Sequence, residues 1–155
     1  MAMSPKLTRL KQVYDELGKK QLKVGFFEHT KYPDGTPIAY VAAIQELGHL
    51  ANNIPPRPFM RPAMQDNQAR YADLMLRAAK ASIDDTLSVS DGLSQMGGVA
   101  VGDIQLAIQA VTTPPLKDST VKARASRHSK GKATHKPLVD SGLMLQSVTF
   151  SVEDK

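Results

Sequence analysis

Apolar residues recur at helical spacing along most of this chain, and they alternate with polar ones in two short stretches far apart in sequence. Leu7, Leu10, Val13, Tyr14 and Leu17 share one helical face behind Ser4 and Pro5. Ser4 is a side-chain N-cap, and the fixed φ of Pro5 suits a first helical position, so a helix is expected over residues 5–18, ended by Gly18. Residues 21–28 read as a strand, with Leu22, Val24 and Phe26 at period two and Gly25 marking a bulge or a close backbone approach. Residues 147–152 repeat the alternation through Val148, Phe150 and Val152. The two strands are expected to pair antiparallel.

Between them the pattern is helical. Tyr32-Pro33-Asp34-Gly35-Thr36 is a turn in which Pro33 presets φ and Gly35 tolerates a positive one. Ile38, Val41, Ala42 and Gln45 then predict a short helix over residues 38–47, closed by Gly48. A stripe of Met64, Tyr71, Met75, Ala78 and Ala79 predicts one long helix opened by Pro62 and running to Ile83. A second long helix is expected over residues 89–111, capped by Ser88 or Ser90, with Leu93, Met96, Ala100, Ile104, Ile108 and Val111 as its stripe. Gly97, Gly98 and Gly102 lie inside it, which points either to close approach by another helix or subunit or to a kink. Asp118 or Ser119 caps a short helix through Ala125. Asp140-Ser141-Gly142 reads as a helix-initiating turn with Asp140 as the cap, followed by one turn over residues 143–146. The fold class expected is α+β: one domain over residues 1–155, with a small antiparallel sheet packed against several helices, two of them long, and a long basic loop at about 126–136. A sheet this small needs helices against it, or strands from other subunits.

Ile54-Pro55-Pro56-Arg57-Pro58-Phe59-Met60-Arg61-Pro62 interrupts the helices. Four prolines in nine residues forbid regular helix and remove backbone donors. Apolar Ile54, Phe59 and Met60 alternate with Arg57 and Arg61. The stretch therefore reads either as a rigid, docked segment presenting guanidinium groups at fixed positions, or as an interhelical loop that tucks Phe59 into the core.

Charge adds one feature. The formal net charge is +5, and residues 117–136 hold seven basic residues against Asp118 alone, a net +6; the rest of the chain carries 13 basic and 14 acidic residues. Lys122, Arg124, Arg127, Lys130, Lys132 and Lys136 are thus candidates for contacting DNA phosphates or an acidic protein surface, with a solvated loop as the plain alternative. The segment has no aromatic residues, which argues against base stacking. Cysteine is absent, which excludes disulfides and thiolate metal sites and suits a reducing cytoplasm. No apolar run of signal-peptide or membrane-spanning character is visible, so a soluble chain not exported by the usual route is expected. The four histidines form no helical metal pair, Asp140-Ser141-Gly142 lacks the flanks of a nucleophile elbow, and Gly97-Gly98 follows no strand. Neither catalysis nor a cofactor is indicated.

Six pieces, in this order, resemble a tailed-phage virion morphogenesis family of head–tail joining, neck and tail-completion proteins. They are Val24-Gly25-Phe26-Phe27; Tyr32-Pro33-Asp34-Gly35-Thr36-Pro37; Tyr40-Val41-Ala42 with Gln45-Glu46-Leu47-Gly48; the proline-arginine string; Val101-Gly102-Asp103-Ile104-Gln105; and Lys136-Pro137-Leu138-Val139-Asp140-Ser141-Gly142. Leu47 departs from the pattern, where the family often has an aromatic residue before the glycine. The resemblance implies a structural virion subunit, made in the host bacterial cytoplasm and assembled into a sixfold or twelvefold ring between head and tail. Such a ring surrounds the DNA channel and adjoins portal or connector and tail proteins. A tail terminator capping the tube is the alternative within the family; a stand-alone basic nucleic-acid-binding protein is the alternative outside it. In either phage role Arg57, Phe59, Met60 and Arg61 are expected at a subunit or partner interface, and the basic loop is expected to meet DNA non-specifically or an acidic partner.

Overall fold

A computed structural model describes residues 4–127 and 135–155. Among these residues there are seven α-helices and one two-stranded antiparallel sheet, an α+β arrangement with a small sheet. The elements are α1 (Pro5–Lys19), β1 (Lys20–Gly25), α2 (Ile38–Leu47), α3 (Met60–Asp66), α4 (Gln68–Ile83), α5 (Val89–Ala110), α6 (Asp118–Arg127), α7 (Leu143–Gln146) and β2 (Thr149–Asp154). None of the helices is long and apolar enough to cross a membrane. The chain divides into two compact units of separated segments. The first combines the stretch up to Gly25 with Asp66–Val101 and Thr149–Lys155, and the second combines Phe26–Gln65 with Gly102–Val148.

In the first unit Ser4 caps α1, its Oγ accepting from Leu7 N–H at 3.3 Å. The helix runs through Gly18 and ends where Lys20 turns extended, so Gly18 is not its terminator. Of the α1 stripe, only Val13 is buried, clustered with Val89 and Leu93, while Leu17, Leu22, Met75, Ile83, Met96 and Val152 pack around them. Leu7, Leu10 and Tyr14 stay exposed, so α1 uses only part of its apolar arc. Arg9 ties α1 to the end of α4, donating to Ser82 C=O at 3.0 Å and to Asp85 at 2.7 Å.

The strands pair as expected, with Leu22 opposite Val152 and Val24 opposite Phe150. β1 stops at Gly25, whose φ of 148° suits glycine, leaving Phe26 and Phe27 outside it. β2 begins two residues later than its alternation suggested. Helix α5 runs through Gly97, Gly98 and Gly102 without a break. A Cβ on Gly97 would lie 2.6 Å from the Phe150 ring and 2.9 Å from Leu22, and one on Gly92 would lie 2.7 Å from Ala78 Cβ. The close approach is therefore made by the chain's own sheet at Gly97 and by α4 at Gly92. Gly98 and Gly102 would meet nothing within 4 Å.

In the second unit Tyr32 and Gly35 close the expected turn, with Gly35 N–H donating to Tyr32 C=O at 2.9 Å. Helix α2 has the expected bounds. The single long helix expected over 62–83 is instead two: Asn67, at φ −104° and ψ 7°, breaks it between α3 and α4, and Pro62 lies within the first turn of α3 rather than opening it. The core gathers Ile38, Ala42, Phe59, Ala63, Ile104, Ile108, Leu138, Met144 and Val148.

Candidate functional site

The residues singled out in the sequence converge on the second unit, where polar side chains do the joining. Helix α3 starts at Met60 after three prolines and has no Ser, Thr, Asp or Asn in position to cap it. Glu46, from α2, does that work from a distance. One carboxylate oxygen accepts from the N–H groups of Phe59 at 2.7 Å and Met60 at 2.9 Å; the other accepts from Arg61 N–H at 3.1 Å and from its Nε at 3.2 Å. Burial pushes the Glu46 carboxyl up, but these hydrogen bonds more than offset it and hold its pKa below the ordinary value. Between the two ends, Gly48 closes α2 at φ 77°, and a Cβ there would lie 2.9 Å from Pro56 N. Both its conformation and its contacts demand glycine.

Arg57 points inward. It is 6% exposed, and its Nε and one terminal nitrogen donate to the carbonyls of Pro114 at 2.9 Å and Pro115 at 3.1 Å, while the other terminal nitrogen reaches Gln45 Oε1 at 3.3 Å. Its backbone N–H donates to Gln45 C=O at 2.7 Å. Burial, and then the like charge of Arg124, hold the Arg57 guanidinium below its ordinary pKa. Phe59 is 1% exposed and meets Phe26 edge-on, with centroids 6.1 Å apart. Hence Arg57 and Phe59 are framework and not surface groups, which corrects the expectation that all four residues face a partner. Met60 is half-buried, and only Arg61 is exposed.

Arg124 departs from expectation in the same way. It is 7% exposed, with one terminal nitrogen donating to the carbonyls of Lys136 at 2.8 Å and Val139 at 3.1 Å and the other to Pro137 at 3.0 Å. Asp140 lies 3.6 Å from its Nε and 3.2 Å from Arg127. Asp140 therefore pairs with arginines; the N-cap of α7 is Gly142, with no side-chain cap bond, and Ser141 Oγ accepts from Leu143 N–H at 3.4 Å. Lys122, Arg127 and Lys136 are exposed; Lys130 and Lys132 lie outside the described residues. Helix α6 reaches Arg127, two residues beyond the expected helix end and into the expected loop.

Two motif pieces distant in sequence meet here. Tyr32, Pro33, Asp34 and Thr36 line one open cleft of about 520 Å³ together with Pro137, Leu138, Asp140, Ser141 and Gly142. Burial, then the charges of Asp140 and Asp34, push the Tyr32 hydroxyl pKa up, so it stays protonated. No cluster of three or more His, Asp or Glu residues with metal-binding geometry occurs among the described residues.

The roles of Glu46 and Arg124 were missed in the sequence. One signal for Glu46 was present: it is the only charge in the apolar run Ile38–Leu47 and precedes a helix start with no local cap. No protein-family model, curated protein or solved structure matches the chain.

Proposed function

We propose that this chain is a structural subunit of a tailed-phage virion, assembling into a ring at the head–tail interface around the DNA channel. The observation that carries the reading is the placement of the resemblance motifs. Glu46 joins the Gln45-to-Gly48 stretch directly to the proline-arginine string, and the Tyr32-to-Thr36 turn shares a cleft with the Lys136-to-Gly142 stretch, whose carbonyls Arg124 holds. Residues used in this way set the orientation of helices, as a load-carrying subunit requires, rather than presenting reactive groups to a substrate. Exposed Arg61, Lys122, Arg127 and Lys136 then supply charge for neighbouring proteins or DNA, an attraction screened by salt.

Imaging of intact particles with this chain labelled tests the reading. The label is expected as a ring between portal and tail. A label at the head-proximal end of isolated tails makes the chain a tail terminator, and a particle without the label overturns the virion assignment. Salt-dependent DNA binding by the free subunit with no particle association would favour a stand-alone nucleic-acid-binding protein.

A further inference from the structure

The two-stranded sheet leaves both outer edges without partners among the described residues. Lys155 N–H donates to Lys19 C=O at 2.7 Å, which makes 19 and 155 a hydrogen-bonded pair. Alternation then assigns 21/153, 23/151 and 25/149 as the hydrogen-bonded pairs of the register. The backbone groups of Leu22 and Val24 on β1, and of Phe150, Val152 and Asp154 on β2, therefore point outward. Lys20 fits this parity: its N–H turns back to Leu17 C=O.

The two edges have opposite charge. β1 carries Lys20 and Lys23 and no acid; β2 carries Glu153 and Asp154 and no base. Lysine on an edge strand ordinarily guards it against pairing, but here the other edge of the same sheet supplies matching acids. Within the chain these groups already pair, Lys20 with Asp154 at 3.1 Å and Lys23 with Glu153 at 2.6 Å.

We infer that the β1 edge of one copy adds to the β2 edge of the next, in the same antiparallel register that β1 and β2 use within the chain. The parity of the outward groups permits it: Leu22 of one copy faces Val152 of the other, and Val24 faces Phe150, as hydrogen-bonded pairs. Each face then continues across the junction, apolar beside apolar and lysine beside acid. Pairing β1 with β1, or β2 with β2, sets like charges alongside each other and is disfavoured. The contact is heterologous, so it propagates head to tail and either closes into a ring or grows open. The pairing stands on the edges alone; closure into a ring rests on the reading above.

The absence of cysteine makes a clean test. Lys23→Cys and Ser151→Cys chains are prepared separately, each with one thiol and no internal partner, then mixed and oxidised across a concentration series up to millimolar. In the inferred register positions 23 and 151 form a non-hydrogen-bonded pair between copies, a spacing that a disulfide spans. The mixed disulfide is expected to dominate in the mixture, with little dimer from either chain alone. Homodimers in excess, or no cross-link at any concentration, would overturn the inference. As a second readout, Val24→Pro removes an outward N–H and no internal ladder bond, so oligomers in native mass spectrometry should be lost while a Val24→Thr control keeps them. Particle imaging fails separately: a chain missing from the virion leaves this edge pairing intact.

Discussion

Each of the two units has its own internal chemistry. In the first, Val13, Val89 and Leu93 pack with the sheet, and small residues at Gly92 and Gly97 let α4 and the strands come close. In the second, an apolar core is present, but the loops between helices are fixed by three buried charged side chains: Glu46, Arg57 and Arg124. Apolar packing tolerates approximate shape, whereas a buried charge removed from its partners leaves several polar groups unsatisfied at once. The second unit should therefore fail more sharply on single substitutions.

The largest effect is expected at the arginines. Arg124→Met or Arg57→Met removes the guanidinium donors to the carbonyls at 136, 137 and 139, or at 114 and 115, and at about 1–3 kcal/mol for each lost partner should cost about 3–5 kcal/mol in urea unfolding followed by circular dichroism. Lysine at either position should restore little, because it lacks the planar fork. Rescue by lysine would show that charge alone suffices.

Glu46→Ala should come next, at about 2–4 kcal/mol, since three adjacent N–H groups lose their acceptor. Its pH dependence has a definite sign. The folded carboxyl has a pKa below its ordinary value of 4.5, so its contribution is complete above that value and is lost as pH falls through the lower folded one. Glu46→Gln should flatten the acid limb of a stability-against-pH curve.

In the first unit the effects are smaller. Gly97→Ala forces a Cβ against Phe150 and should cost roughly 1–3 kcal/mol, partly recovered by Phe150→Leu. Gly98→Ala, one residue along in open space, should instead stabilise α5 by about 0.5–1 kcal/mol. Melting temperatures that move together for these neighbours would contradict the packing described. Ser82→Ala gives the smallest change: its hydroxyl is buried with no partner among the described residues, so removing it should be neutral or stabilising by about 1 kcal/mol.

The same contrast explains what the sequence revealed. Periodicity placed α1, α2, α5 and the strand pair, because those elements bury one face and the pattern records which. It did not reveal the break at Asn67, where stripes on α3 and α4 merge into one apparent helix. Nor did it reveal that Arg57 and Arg124 point inward. An arginine is ordinarily a surface residue, and only the carbonyls of residues far along the chain, gathered by folding, make burial favourable. Of the two readings of the proline-arginine string, the structure favours the interhelical loop that tucks Phe59 into the core, and the group that fixes it, Glu46, lies eight residues before its start.

Amide hydrogen exchange by NMR at Phe59, Met60 and Arg61 tests the polar framework most directly, in the native chain and in Glu46→Gln. The framework predicts strong protection of all three amides in the native chain. In the variant that protection should fall selectively, while the ladder-bonded β1 amides of Gln21 and Lys23 keep theirs. Rapid exchange of these amides in the native protein, or protection unchanged by Glu46→Gln, would contradict it.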